Sequence, residues 1–432
     1  MYLRGSKWSY TRRRRRTSPV RIGILAVLVA AAVYINQVIV PVTPPLFIPT
    51  ATPTRSPESF VTEAEALLKE GKISQAVGSF NNAIQSDPRN AANYIALARL
   101  QIYTGKYEEA ITSAENALLI SPNNAMAHAL KGWALGFMGD YLPAESSVKE
   151  AIKLDPNNAV PYAYLAEIIA LQIQENQGQL GSLEKAIEAS RTAETLAPNA
   201  METRRARGFV LEITSNYEEA MAQYEAAVEL EPNISDLHLS LGRIYRQLQM
   251  YDKAVEEFNR ANSLNPTDPL PLTYISRTYA AIGEYPKGIQ FGQQAIKISP
   301  QDPFLYGNVG VMEYRMKDYE KAIEFLKLAV RGGNTPEGIE IEGLPLDYGR
   351  VAEYYYIYGL SLARLGDCSE ALQISQIISQ GVPNDETALF NAQEMLNICR
   401  EGPISPLSSD TKTPEGDSTP TAEETPSPAA GN

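Results

Sequence analysis

Histidine and cysteine, the side chains most often used for proton transfer, metal binding and nucleophilic attack, each occur only twice in this sequence of 432 residues. They are His128 and His238, and Cys368 and Cys399. The sequence contains no glycine-rich phosphate loop, no paired-cysteine metal motif and no nucleophile elbow. These residues therefore give no support to a catalytic, cofactor-binding or metal-binding function.

Proline recurs through the central part of the chain at separations of 34, 34, 42, 34, 34 and 34 residues. An alanine stands five residues before each of these prolines, and a second small residue stands twelve before. This period indicates a repeated pair of helices, in which small residues let two backbones approach closely and proline ends the second helix. The prolines are Pro88, Pro122, Pro156, Pro198, Pro232, Pro266 and Pro300.

The pattern resembles the tetratricopeptide repeat, a helix-turn-helix unit of about 34 residues with large and small residues at fixed positions. The second repeat begins at Ala91 and has Tyr94 at position 4 and Ala98 at position 8, as the family pattern requires. The resemblance covers residues 57 to about 400 as nine repeats and a final helix at 386–400. It implies an all-α fold, a right-handed superhelical solenoid. Both histidines fall at position 4, where we expect packing residues.

Two segments interrupt the regular array. Repeat four has eight extra residues around 174–182, between its two helices, which predict a loop or an extended helix end. Between repeats eight and nine, residues 331–347 replace the usual tight turn. We interpret both segments as tolerated insertions, with binding loops as the alternative.

In the family that the chain resembles, the first helix of each repeat lines a concave groove that binds peptides or partner helices. Some members hold a C-terminal carboxylate there with lysine and asparagine, but position 9 is never asparagine in this chain. The resemblance implies a binding groove at the following residues: Arg99, Tyr103, Trp133, Phe137, Arg205, Arg243, Arg246, Arg277 and Arg315.

The groove positions of repeats five to eight are rich in arginine, although the domain as a whole is acidic. Arg243 and Arg277 occupy the same position in successive repeats, so they should stack along one wall. Because arginine binds carboxylates with two parallel hydrogen bonds, we expect an acidic peptide there, with the aromatic residues as a second contact region. The alternative is that these arginines pair with neighbouring glutamates such as Glu202 and Glu212.

The two cysteines fall in the last part of the predicted solenoid. Cys368 begins the second helix of repeat nine, and Cys399 lies near the end of the final helix. Adjacent antiparallel helices bring such ends together, within the distance that a disulfide requires. We therefore predict a disulfide between them, and two buried thiols at packing positions are the alternative.

Charge separates the N-terminal segment from the rest of the chain. Residues 1–58 carry nine basic residues and one acid, and the remainder carries 29 basic residues and 50 acids. The net charge of −13 therefore divides into +8 and −21. An acidic body of this kind is repelled by nucleic acid and by anionic lipid, so we expect no nucleic-acid partner.

The basic segment predicts a membrane topology. Five arginines, Arg12–Arg16, precede Ile22–Val40, a run of 19 residues without charge. As a helix this run is about 28 Å long, close to the thickness of the hydrocarbon core. Positive charge on its N-terminal side places the N-terminus in the cytoplasm and the repeats outside. A signal peptide cleaved at Ala30–Ala32 and a nucleic-acid patch are the alternatives.

Proline and threonine after the apolar run predict a semi-extended stalk, and the C-terminal segment has the composition of disordered chain. The expected organisation is a basic cytoplasmic N-terminus at 1–21, a transmembrane helix at 22–40, a stalk at 41–58, the solenoid at 59–400 and a disordered tail at 401–432.

These features favour a scaffold of the cell envelope that is anchored in the membrane and binds protein or peptide partners outside the cytoplasm. A non-catalytic accessory subunit of an enzyme complex for envelope biosynthesis or secretion is the main alternative. A catalytic repeat protein is the third, and no residue pattern favours it.

Overall fold

The computed structural model describes residues 18–39 and 55–401 and divides the chain into two units that meet at Ser56 and Pro57. The arginine run, most of the predicted stalk and the predicted C-terminal tail lie outside the described residues.

The first unit contains one apolar helix. Helix α1 (Pro19–Tyr34) continues into a π-helical turn at Ile35–Ile39. It begins at Pro19, three residues before the predicted span, because the first position of a helix needs no backbone donor. Over Pro19–Val38 every side chain is exposed, and the helix is long and apolar enough to cross a membrane. A signal sequence has the same length and composition.

The second unit consists of helix pairs, one pair in each repeat, and α20 (Glu386–Glu401) packs on the last pair. The first helices are α2 (Pro57–Lys69), α4 (Ala91–Tyr103), α6 (Ala125–Phe137), α8 (Ala159–Gln174), α10 (Met201–Ile213), α12 (Ser235–Gln247), α14 (Leu270–Ala281), α16 (Pro303–Arg315) and α18 (Arg350–Arg364). The second helices are α3 (Ile73–Ser86), α5 (Tyr107–Ile120), α7 (Tyr141–Leu154), α9 (Ser182–Leu196), α11 (Tyr217–Leu230), α13 (Tyr251–Leu264), α15 (Tyr285–Ile298), α17 (Tyr319–Arg331) and α19 (Cys368–Gly381).

Residues next to the periodic prolines start each following repeat. Two residues after Pro88, Pro122 and Pro156, an asparagine caps the next first helix, accepting a backbone N–H at 3.0 Å in each case. These caps satisfy donors that a helix N-terminus leaves unpaired. The short Pro-x-Asn turn therefore ends one helix and begins the next.

Position 4 of the repeat links successive repeats. Its side chain donates a hydrogen bond of 2.9–3.0 Å to the carbonyl oxygen of the periodic proline before it. The three pairs are His128 with Pro122, His238 with Pro232, and Tyr306 with Pro300. Both histidines therefore have structural roles, as their repeat position indicates.

The two interruptions have different structures. Helix α8 is 16 residues long, three longer than α6, and a loop at 175–181 leads to α9, as the extra residues predict. At 331–347 the fold is not purely helical, because β1 (Gly332–Asn334) and β2 (Glu340–Glu342) form an antiparallel hairpin. Ile341 is buried against the core, which holds this hairpin on the solenoid.

Candidate interaction surface

The first helices of successive repeats lie beside one another, and we call the surface that they form the first-helix face. All nine predicted groove residues lie on these helices, from α4 to α16. The structure divides them into two sets, one buried inside the solenoid and one around an open cavity.

Of the aromatic residues, Trp133 is buried, and Tyr103 and Phe137 are half-buried beside it. Trp133 is only 1% exposed and stacks on Tyr164, with ring centroids 4.3 Å apart. Tyr103 and Phe137 approach the Trp133 ring edge-on, at 5.8 and 5.4 Å. The expectation that these side chains form an apolar contact region for a ligand is wrong for Trp133, because its surface is already covered by its neighbours.

Arg205 is also buried and paired within the protein. It is 3% exposed, and its Nε and Nη2 atoms donate to Glu167 at 2.8 and 3.1 Å. The Trp133 indole N–H donates to the same carboxylate at 2.7 Å, and the Arg205 guanidinium lies 4.3 Å from the Trp133 ring centroid. Burial raises the pKa of the Glu167 carboxyl, and the charge and hydrogen bonds of Arg205 offset only part of that rise. Arg205 is therefore held mainly by Glu167, although among the described residues its Nη1 atom has no hydrogen-bond partner and the side chain borders a cavity of about 230 Å³.

Arg243 and Arg99 pair with the glutamates that the alternative interpretation named. Arg243 donates two hydrogen bonds to Glu212, at 3.1 and 2.9 Å. Burial opposes the charge of Arg243, but the Glu212 carboxylate outweighs it and raises the pKa of Arg243. Arg99 lies 3.9 Å from Glu202, a looser contact. At Arg243 and Arg99 the structure therefore agrees with the alternative interpretation, in which the arginines pair with glutamates of the solenoid.

The other three predicted arginines surround a cavity of about 320 Å³, which we call the arginine cavity. Arg246 of α12, Arg277 of α14 and Arg315 of α16 line it, together with Arg350 at the start of α18. Arg350 pairs with Glu353 at 2.6 Å and donates to Asn308 at 2.7 Å. Within the described part of the chain, no carboxylate lies within ion-pair distance of Arg246, Arg277 or Arg315.

Repeat positions explain why these arginines lack partners. Arg243 at position 9 pairs with Glu212 at position 12 of the repeat before it. One repeat later, position 9 is Arg277, but position 12 of the preceding repeat is Arg246. Burial first, and then the charge of Arg277, lower the pKa of Arg246. The place that holds an ion pair in one repeat therefore holds two like charges in the next.

A second cavity, of about 460 Å³, lies where the first two repeats meet the fifth. The Asn233 side-chain amide donates to the Lys69 carbonyl at 2.9 Å and accepts from Arg260 at 3.1 Å. These hydrogen bonds join the first repeat to the fifth and sixth repeats. Arg99 and Tyr103 line this cavity together with apolar side chains. Its wall therefore has both charged and apolar parts.

Cys368 and Cys399 occupy the ends of α19 and α20 that the sequence places together. Their Cα atoms are 5.5 Å apart, and the structure joins their sulfur atoms in a disulfide across 31 residues. This spacing is in the ordinary range for a disulfide.

Sequence reasoning missed Glu167, Asn308 and Arg350. Arg350 lies before the start of repeat nine as the repeat pattern defines it, because α18 begins two residues earlier than that pattern. Glu167 is at position 9 of repeat four, one repeat before Arg205. An acidic residue on a first helix was the sequence signal that could have indicated a partner for Arg205. Among the described residues, no group of three or more histidine, cysteine or acidic side chains could hold a metal ion.

Family models described as tetratricopeptide repeat match residues 67–134, 127–158 and 214–269. These segments lie in the regular part of the solenoid, where the period, the caps and the helix pairs coincide. The chain is a tetratricopeptide-repeat protein. Tetratricopeptide repeats typically form non-catalytic scaffolds for protein interactions. No curated protein matches the chain.

Three solved structures are similar to parts of the chain. PilF of Pseudomonas aeruginosa is 20% identical with a TM-score of 0.40, and the match covers 48% of this chain and 91% of that one. The Cut9–Hcn1 complex of the APC/C is 19% identical with a TM-score of 0.44, and the match covers 67% of this chain and 52% of that one. A tetratricopeptide-repeat protein from Parabacteroides merdae is 15% identical with a TM-score of 0.37, and the match covers 59% of this chain and 98% of that one. At these identities the likeness concerns the fold alone.

Proposed function

We propose that this tetratricopeptide-repeat protein is a non-catalytic scaffold, anchored in a membrane by α1, that binds protein or peptide partners through its first-helix face. The arginine cavity carries this proposal, because three arginines with no carboxylate partner among the described residues line it on that face, in an otherwise acidic domain. Arginine recognises carboxylates with good geometry, so an acidic stretch of a partner fits the cavity.

The membrane part of the proposal rests on the first unit. Helix α1 exposes its apolar side chains along its whole described length, which is unfavourable in water and favourable in lipid. The arginine run at 12–16 precedes it and favours a cytoplasmic N-terminus, with the repeats outside the cytoplasm. In that location the protein would organise an assembly of the cell envelope.

An accessory subunit of an envelope biosynthesis or secretion enzyme is the second candidate, since such a subunit needs the same anchor and binding face. Co-purification from detergent-solubilised membranes separates the two. A scaffold should bring several proteins in variable ratios, whereas an accessory subunit should bring one enzyme in a fixed ratio. A chain that is recovered alone at physiological salt, with its fold intact, would contradict both.

A further inference from the structure

The arginine cavity has a local charge opposite to that of the domain around it. Four guanidinium groups and the single carboxylate of Glu353 line it, whereas residues 59–432 carry a net charge of −21. Like charges this close repel one another, and the repulsion is strongest where side chains are partly buried. Arg246 is such a side chain, and its buried Nε atom has no hydrogen-bond partner in the part of the chain that the structure describes. An anion in the cavity would relieve this repulsion.

The chain itself contains a segment with the matching charge. Residues 410–424 hold five acids and one base, and they begin nine residues after the end of α20. The acids are Asp410, Glu415, Asp417, Glu423 and Glu424, and the base is Lys412. Several carboxylates along one peptide can each pair with a different arginine, which a single small anion cannot do.

The end of α20 lies on the side of the solenoid that leads to the cavity. Cys399 is joined to Cys368, which follows the end of α18 by four residues. The guanidinium of Arg364, the last residue of α18, lies close to the hydroxyl of Tyr314. Tyr314 directly precedes Arg315 in the sequence. Tyr314 and Cys399 also pack against the same core cluster. The end of α20 therefore lies on the same side of the solenoid as the C-terminal ends of α16 and α18.

The linking residues are long enough to reach the arginine cavity. Nine residue steps separate Glu401 from Asp410, and Pro403 and Pro406 lie among them. As an extended proline-rich chain this link spans roughly 28 Å, several times the width between neighbouring helices. We propose that the acidic segment 410–424 binds in the arginine cavity of its own chain and competes there with acidic partners.

Peptide competition on the full chain, purified in detergent, tests this inference. The probe is a labelled synthetic peptide of residues 408–426, titrated at physiological salt and followed by fluorescence anisotropy. The comparison variant replaces the five acids of the tail with their amides (D410N, E415Q, D417N, E423Q, E424Q). A tethered segment competes at an effective concentration on the order of 1 mM. For a peptide with a Kd of about 0.1 mM, the variant should therefore bind the probe about tenfold more tightly than the native chain.

Substitutions in the cavity identify the site. In the chain with the neutral tail, Arg277→Gln should weaken peptide binding about tenfold, because it removes a charge-assisted hydrogen-bond donor. Arg89→Gln, at an exposed arginine far from the cavity, should leave it unchanged. Equal affinity of the native and neutral-tail chains for the peptide would overturn the inference. Inhibition by a few millimolar inorganic phosphate, as strong as that by the unlabelled peptide, would overturn it as well.

The failure of this inference can be distinguished from failure of the proposed function, because the titration needs neither a membrane nor a partner. If the neutral-tail chain binds the peptide no more tightly than the native chain does, only the proposed contact between the tail and the cavity is ruled out. The co-purification result would be unaffected by it.

Discussion

Glu167 is the carboxylate on which we expect the stability of the fold to depend most, because it pairs with the buried Arg205. Glu167→Gln leaves the Arg205 guanidinium buried without a counter-charge and weakens the bond to Trp133. Removing one partner of a buried pair typically costs about 3–5 kcal/mol. Urea unfolding followed by circular dichroism should therefore show a clear loss in the free energy of unfolding.

A matched control uses an exposed pair on α7. Glu145→Gln removes the partner of Lys149, whose side chain is 60% exposed, and exposed pairs contribute only about 0.2–1 kcal/mol. The double variant Glu167→Met with Arg205→Met should recover most of the loss, since no unpaired charge remains. Similar losses for Glu167→Gln and Glu145→Gln would contradict the importance assigned to the buried pair.

The sequence predicted which arginines lie on the first-helix face, but it could not predict which of them are free. Helix periodicity places Arg205, Arg243 and Arg277 on the same face, because that placement depends only on local spacing. Their partners depend on packing between repeats. Glu167 is 38 residues from Arg205, and Glu212 is 31 residues from Arg243. Comparing position 9 with position 12 of the preceding repeat would have distinguished Arg277 from Arg243.

Among the elements, the crossing of two helices within one repeat depends on small residues. A Cβ atom added at Gly132 of α6 would lie 2.6 Å from the Ala144 carbonyl oxygen and 2.5 Å from a methyl group of Val148. Because part of that contact is backbone, α6 and α7 must move apart. We expect Gly132→Ala to lower the free energy of unfolding by about 1–3 kcal/mol, measured by urea denaturation.

Gly78 of α3 is the control, because nothing lies within 4 Å of a Cβ atom added there. Gly78→Ala should stabilise the protein by roughly 0.5–1 kcal/mol, since alanine favours the helix more than glycine does. If both substitutions changed stability in the same direction and by the same amount, close packing at Gly132 would not be the cause.

The disulfide prediction concerns the end of the solenoid. A bridge between Cys368 and Cys399 closes a loop of 31 residues and should stabilise α19 and α20 by about 3 kcal/mol through the entropy of the unfolded chain. Thiol labelling of the denatured, non-reduced protein should find no free thiol. Cys368→Ser and the double variant with Cys399→Ser should lose equal stability. Two reactive thiols before reduction would show that the cysteines are unpaired.

The regular elements were predictable because a fixed period repeats the same local signals in each copy. Proline, the small residues and the capping asparagines indicate the helix pairs from α2 to α15 without any information on tertiary contacts. The hairpin of β1 and β2 was not predictable in this way. Only three residues form each strand, and burial of Ile341 against the solenoid holds them in place.

For the whole molecule, membrane attachment is the property that the apolar helix α1 predicts. The protein should remain in the membrane fraction after high salt and alkaline washing, because a spanning helix is held by lipid contacts rather than by charge. A reporter fused after Asn432 should be active only when it is an enzyme that works outside the cytoplasm. Release by alkaline washing would indicate a cleaved signal peptide instead. Activity of a cytoplasmic reporter at that position would contradict the orientation.

Partner capture by full-length protein with an altered arginine cavity tests the scaffold proposal most directly. The native chain and the double variant Arg277→Glu with Arg315→Glu would be purified from detergent-solubilised membranes, and co-purified proteins would be quantified by mass spectrometry. Both residues lack a carboxylate partner among the described residues, so the variant should fold normally, as circular dichroism can verify. We predict that the native chain retains one or more proteins at physiological salt and that the variant loses them by at least about tenfold. Identical sets of proteins in equal amounts from the two chains would contradict the account.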